Sequence, residues 1–192
     1  MRRVILMALL ALALPVASFA SSVDFTNSGG TLSGSSSGLT LTGSELIAVK
    51  GLGGGGLVTG NLGTLSFTTG ALTGSLANGG TFAAGGTFTI AGNGTVFSNT
   101  FTGSFAGPVT WTLITLPNGT HNYTLTGAVS GPGFNGATIQ LTINTGKGFF
   151  DGSTTISSGD TNLLVPEPST LGLLGTGLVG IAGLVRRKLK IG

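Results

Sequence analysis

The chain has 192 residues, no cysteine and a formal charge of +3, and that charge sits at its two ends. Between the ends, residues 21–165 hold Lys50 and Lys147 against Asp24, Glu45, Asp151 and Asp160, a net −2, so the basic face that nucleic-acid binding needs is missing. The lack of cysteine removes thiolate metal sites, cysteine nucleophiles and disulfide staples; a domain of this length manages without them if its core is adequate.

The N-terminus reads as an export signal. Arg2 and Arg3 make a positive start, Val4 to Leu14 an apolar run, Pro15 a break, and Ser18-Phe19-Ala20 a small-x-small cleavage site. Cleavage between Ala20 and Ser21 is expected, by signal peptidase after passage through the general secretory machinery. The apolar run is too short for a first membrane span. The arginine pair lacks the surrounding motif of a folded-export signal. Residues 1–20 are therefore read as a signal-peptide helix and residues 21–165 as one mature domain.

Glycine supplies 37 of the 192 residues and charged residues only 7%, against roughly 7% and about 25% in ordinary domains. Such a composition permits disorder, but disorder goes with high charge and few aromatic or β-branched residues. Here Phe, Val, Ile and Thr alternate regularly. In Thr87-Phe88-Thr89-Ile90 and Thr110-Trp111-Thr112-Leu113 the apolar residues share one face and the threonines the other. Tyr123, Leu125 and Gly127 oppose Thr124 and Thr126. The clearest case sets Ile139, Leu141 and Ile143 against Thr138, Gln140, Thr142 and Asn144. One buried and one wet face is the antiparallel pattern.

Turn signals separate the runs at Asn78-Gly79-Gly80, Asn93-Gly94, Gly107-Pro108, Asn118-Gly119, Gly131-Pro132-Gly133 and Asn135-Gly136. Strands are predicted near 39–50, 63–69, 71–77, 86–91, 94–105, 109–116, 121–130, 137–145 and 153–158. The expected fold is all-β: an antiparallel β-sandwich or barrel-like body. An apolar residue followed by Thr-Gly recurs at Leu41, Leu72, Phe101 and Leu125. This echo keeps a β-solenoid as the alternative, although a regular solenoid needs a tighter period.

The body is poor in chemistry. Gly51 to Gly56 formally contains GxGxxG, but Leu57-Val58-Thr59-Gly60 offers no following helix, so the stretch is read as a loop. His121, the one histidine, flanks the Asn118-Gly119 turn with no local acid and nucleophile to make a triad. Asp151 and Asp160 are read as turn residues at the two ends of one strand, too far apart for a glycosidase pair. Calcium would need converging oxygens, and the four carboxylates are scattered along the chain. Alternation places Trp111 and Tyr123 on the core face rather than on a sugar-stacking surface, which leaves carbohydrate binding open. No catalytic residue, cofactor or metal ligand is assigned.

The C-terminal tail, residues 166–192, has three parts in order. Pro166-Glu167-Pro168 stops any strand or helix and leaves extended chain for a processing enzyme to grip. Ser169 to Val185 is uncharged and Gly-rich; as a helix it would reach about 25 Å, slightly short of the hydrocarbon core, with flanking cations able to snorkel. The end, residues 186–190, is basic through Arg186, Arg187, Lys188 and Lys190, a cytoplasmic stop by the positive-inside rule. The plain reading is a C-terminal transmembrane helix. The order of motif, Gly-rich span and Arg186-Arg187-Lys188 also resembles the PEP-CTERM sorting domain of exported bacterial proteins, over about the last 28 residues.

That resemblance implies recognition by an exosortase, a membrane protease-transpeptidase. It implies an inner-membrane intermediate, removal of the tail, and delivery to the cell surface or the exopolysaccharide matrix of a biofilm. The expectation is an exported, non-enzymatic surface or matrix protein whose Thr/Ser/Asn-rich face suits contact with exopolysaccharide. The alternative is a carbohydrate- or calcium-binding β-sandwich module held at the envelope.

Overall fold

Alternation with period two becomes a set of antiparallel strands. A computed structural model of the chain describes residues 21–165. The expected signal-peptide and transmembrane helices lie outside the described residues. The strands are β1 (Ser21–Ser28), β2 (Thr31–Ser35), β3 (Gly38–Lys50), β4 (Val58–Thr59), β5 (Gly63–Thr68), β6 (Leu72–Ser75), β7 (Gly79–Phe82), β8 (Gly85–Gly92), β9 (Thr100–Phe105), β10 (Val109–Thr115), β11 (His121–Gly131), β12 (Phe134–Asn144), β13 (Ser153–Thr155) and β14 (Ser158–Val165).

Eight of them close into a ring in the order β1, β3, β5, β8, β9, β11, β12, β14 and back to β1, every pairing antiparallel. The body is thus the barrel of the two expected antiparallel architectures, not a sandwich or a solenoid. An eight-stranded barrel is just wide enough for side chains to fill. Phe25, Leu46, Leu65, Phe67, Phe88, Ile90, Leu125, Ile139, Leu141 and Leu163 fill it, all buried. Each large apolar side chain so placed is worth about 1.5–3 kcal/mol relative to water. The outward positions between them are mostly Thr, Ser, Asn and Gln. This is the reverse of a lipid-spanning barrel, which turns an apolar band outward.

Beyond one end of the ring, strands continue as two wings. β2 extends β1 past a bend at Gly29-Gly30 (φ 66° and 77°), a left-handed conformation that glycine adopts without penalty. β2 pairs with the first half of β3 and with β13. On the other side β10 pairs with the first half of β11, then β7 and β6 follow. Trp111 and Tyr123 stack between the wings, centroids 4.9 Å apart, with Phe150 edge-on to Trp111 at 5.5 Å. Both polar tips are satisfied: Trp111 Nε1 donates to Leu76 O (2.8 Å), and Tyr123 Oη donates to Ala77 O (2.6 Å) while accepting from Phe150 N (3.1 Å). A buried aromatic cluster therefore pins the β6–β7 turn and the loop before β13.

Several predicted boundaries change. The strand expected at 94–105 starts at Thr100, because Asn93 closes a turn: its Oδ1 accepts from Thr95 N (3.0 Å), and Gly94 N donates to Phe97 O (2.9 Å). The loop then turns Phe97 inward against Phe25, ring centroids 5.7 Å apart. Asn135-Gly136 is no turn but part of β12. The strand expected at 153–158 divides, since β13 pairs with β2 while β14 pairs with β1 and β12. The strands β1, β2, β4 and β7, and β14 beyond Ser158, lie outside the predicted runs. The Thr-Gly echo falls in β3, β6, β9 and β11 and marks places where glycine admits a bulge or a close neighbour.

The barrel sets the two faces of β12 apart. Leu141 is 1% exposed and Thr142 faces outward opposite Thr124 and Ser158. Leu141→Asp should cost several kcal/mol because a buried charge lacks compensation, whereas Thr142→Asp should stay within about 0.5 kcal/mol. Urea melts of both variants check this; equal losses would mean that both faces are enclosed.

Candidate functional site: the paired chain ends

The sequence-predicted processing points are Ala20/Ser21 and Pro166-Glu167-Pro168, with Arg186, Arg187 and Lys188 behind them. Of these, Ser21 alone lies among the described residues. The structure nevertheless fixes what the other residues are attached to. β1 and β14 are neighbours in the ring, and their register pairs Ser21 with Val165, Ser22 with Leu164, Val23 with Leu163 and Asp24 with Asn162. The first residue after the expected N-terminal cut therefore faces the last residue before Pro166. Proline has no N–H to donate to a ladder, so the sequence ends β14 at this point.

The clasp is held from both faces. Inside, Val23, Phe25 and Leu163 are buried. Deeper in, Asn27 Nδ2 donates to Ser44 Oγ (2.7 Å), which donates to Ser28 O (3.1 Å). Gly159 sits opposite both Asn27 and Leu141, and a Cβ there would collide with both side chains. Outside, Asn162 Nδ2 donates to Asp24 Oδ1 (2.5 Å) and Thr26 Oγ1 to Asp160 Oδ1 (3.0 Å). The residues that carry this clasp went unread in the sequence. Their signal was the weak alternation Val23-Phe25-Asn27 and Gly159-Thr161-Leu163, blunted by the polar residues that point inward.

Other candidates fall into place around it. Asp160 does not pair with Asp151: Asp151 precedes β13 on a wing, whereas Asp160 lies on β14 beside Thr26. Asp24 and Asp160 instead share a shallow groove of about 230 Å³ with Thr26, Ala48, Lys50 and Leu57. Among the described residues no group of three His, Asp or Glu side chains converges on a point that could hold a metal ion. Gly51 to Gly56 is a loop containing a single 3-10 turn at Leu52–Gly54, followed by β4 rather than a helix. Gly51 N donates to Gly55 O (3.1 Å) and Gly55 N to Leu52 O (3.0 Å). The loop is therefore closed on itself, whereas a phosphate cradle needs free N–H groups at a helix start.

His121 is half-buried. Its ring stacks on Phe149 at 4.3 Å and its Nδ1 lies 3.1 Å from Thr115 Oγ1, so a hydroxyl, not a carboxylate, orients it. Trp111 and Tyr123 lie in the core as alternation predicts and present no platform for a sugar. The outer wall is the larger polar feature. Thr112, Thr124, Thr142 and Ser158 stand in one row across β10, β11, β12 and β14. Thr110, Thr126, Gln140, Asp160 and Thr26 form the next, reaching β1.

In comparison with known families, residues 164–188 match the PEP-CTERM protein-sorting motif. The match begins on the last two residues of β14 and runs through the Pro-Glu-Pro segment, the Gly-rich span and Arg186-Arg187-Lys188. The chain thus carries the signal of a protein that is processed by exosortase, exported and targeted to the cell surface. No curated protein and no solved structure matches the chain. Among the described residues, no helix is long and apolar enough to cross a membrane, and the expected span at 169–185 lies outside them.

The clasp can be tested through the chain's lack of cysteine. Ser22 and Leu164 are direct cross-strand partners, a separation that a disulfide can bridge. The double variant Ser22→Cys/Leu164→Cys should oxidise to an intramolecular disulfide and raise stability by about 4–5 kcal/mol, as expected for a closed loop of this length. Intact mass and non-reducing electrophoresis read the bond, and melts under oxidising and reducing conditions read its effect.

Proposed function

We propose that this chain is an exported, non-enzymatic surface or exopolysaccharide-matrix protein that reaches its place through its C-terminal sorting tail. The observation that carries the reading is the sorting motif joined, without a spacer, to the last strand of a closed barrel. The body supplies a wall of hydroxyl and amide groups with few charges. Such a wall favours many weak hydrogen bonds to a hydrated neutral polysaccharide.

On this reading the general secretory machinery exports the chain and signal peptidase cuts between Ala20 and Ser21. The span at 169–185 then holds the chain in the inner membrane, with Arg186, Arg187 and Lys188 on the cytoplasmic side. Exosortase acts near Pro166, Glu167 and Pro168 and releases the body to the cell surface or matrix. The mature product is the barrel with short ends. The route needs no cofactor from the body.

Intact mass of surface-extracted protein tests the route. The expected species lacks residues 1–20 and most or all of the chain after the Pro-Glu-Pro segment. A species that retains Leu171 to Gly192 would leave a permanent anchor instead. Deleting residues 166–192 should redirect the body from the envelope to the medium, read by localisation of a tagged chain.

A further inference from the structure

We propose that the rim of the barrel where β1 begins and β14 ends is a membrane-facing surface, whose partner is the headgroup layer of the bilayer that holds the unprocessed chain. The inference rests on the sorting reading above and adds to it which end of the body meets lipid.

Three observations carry it. The first is the register of the clasp. Ser21 pairs with Val165, so both leads of the precursor leave the barrel at one rim. Each lead contains an apolar run, Val4 to Leu14 and Leu171 to Val185, with basic residues on the side away from the body. Cytoplasmic placement of Arg2, Arg3, Arg186, Arg187 and Lys188 sets both runs in the same sense and the body on the opposite side of the membrane. Only Pro166, Glu167 and Pro168 separate Val165 from the uncharged span, at most about 10 Å of extended chain.

The second is the distribution of exposed apolar side chains. Leu57 (65% exposed), Val58 (40%), Val96 (38%) and Leu164 (42%) all belong to this rim. Leu57 and Val58 follow the loop after β3, whose last residue Lys50 pairs with Asp24. Val96 lies in the β8–β9 loop, whose Phe97 packs on Phe25. Leu164 pairs with Ser22. Ile114 and Phe149 mark the opposite end, where Phe149 is already stacked on His121. Apolar side chains of this kind gain by entering the boundary between headgroups and acyl chains.

The third is charge. The groove beside Leu57 holds Asp24 and Lys50, direct cross-strand partners of opposite sign, and, two pairs further from the rim, Asp160, which accepts from Thr26 Oγ1 (3.0 Å). Approach to the headgroup layer therefore strands no isolated charge, and the wall of threonines stays in water above it.

The test uses the full chain reconstituted into vesicles of phosphatidylethanolamine and phosphatidylglycerol. Because the chain has no cysteine of its own, single variants Leu57→Cys, Leu164→Cys, Ile114→Cys and Phe149→Cys each accept one fluorescent label. Part of the lipid carries a quencher on its headgroup. Labels at 57 and 164 should lose most of their emission when quencher lipid is present, and labels at 114 and 149 should keep theirs. Equal quenching at both ends, or none at 57 and 164 in a chain that resists alkaline extraction from the vesicles, overturns the proposal and leaves the sorting reading intact. A chain that alkaline washing removes overturns both.

Discussion

Closure of the barrel depends on β14. It hydrogen-bonds to β12 on one side and to β1 on the other, so the last strand of the body completes a ring that the first strand began. Without it β1 and β12 would each present a long open edge, a template for pairing with another chain. With it the eight ring strands have partners on both sides, and the outermost strands β4, β6 and β13 are only two, four and three residues long. Short edges of this kind are one way in which β proteins avoid edge-to-edge association. The contact is also the most distant in sequence: the Asn162–Asp24 hydrogen bond spans 138 positions. Closing so long a loop costs entropy that only the completed ring offsets, and non-local pairing of this sort slows folding. For a chain threaded out N-terminus first, as the proposed route requires, β1 waits until residues 158–165 have emerged.

Glycine makes that closure sterically possible. The inner wall is crowded with Phe and Leu, and at Gly159 there is no room for a methyl group between Asn27 and Leu141. Adding volume to a filled core usually costs about 1–3 kcal/mol, so glycine lets two strands approach where a larger residue would hold them apart. The high glycine content, which on composition alone could mean a chain without fixed structure, is here divided among turns, bends and tight crossings. What keeps the chain folded is the regular inward spacing of large apolar side chains, together with the aromatic cluster of Trp111, Tyr123 and Phe150 whose polar tips are all paired.

The parts of the fold legible in the sequence are those where one face is purely apolar and the other purely polar. β12, with Ile139, Leu141 and Ile143 inward, is legible almost residue by residue, and so are β8, β10 and β11. β1 is not, because Asn27 points inward and breaks the alternation; its buried place depends on Ser44, seventeen positions away. β2 offers a single buried side chain, Leu32, and β7 only Phe82, too little for a period. β14 carries Gly159 and Thr161 on its inner face. Alternation states which face a residue takes but not which strand lies beside it, so the ring and the β1–β14 clasp could not be read from it. The sorting tail was legible for a different reason. Its meaning lies in a local order of proline motif, apolar span and basic end, which needs no long-range partner.

A barrel does not by itself define a function, and the same wall of threonines could serve many roles. The joint at Val165 and Pro166 narrows the choice. A sorting signal has to be extended and accessible, while a closed barrel protects its backbone in hydrogen bonds. Proline resolves that conflict at one peptide bond: it cannot donate to the β1 ladder, so pairing stops at Val165 and the Pro-Glu-Pro segment begins on the next residue. The register then places Ser21 opposite Val165. On the proposed route neither expected cut divides a strand, since Ser21 opens β1 and Val165 closes β14.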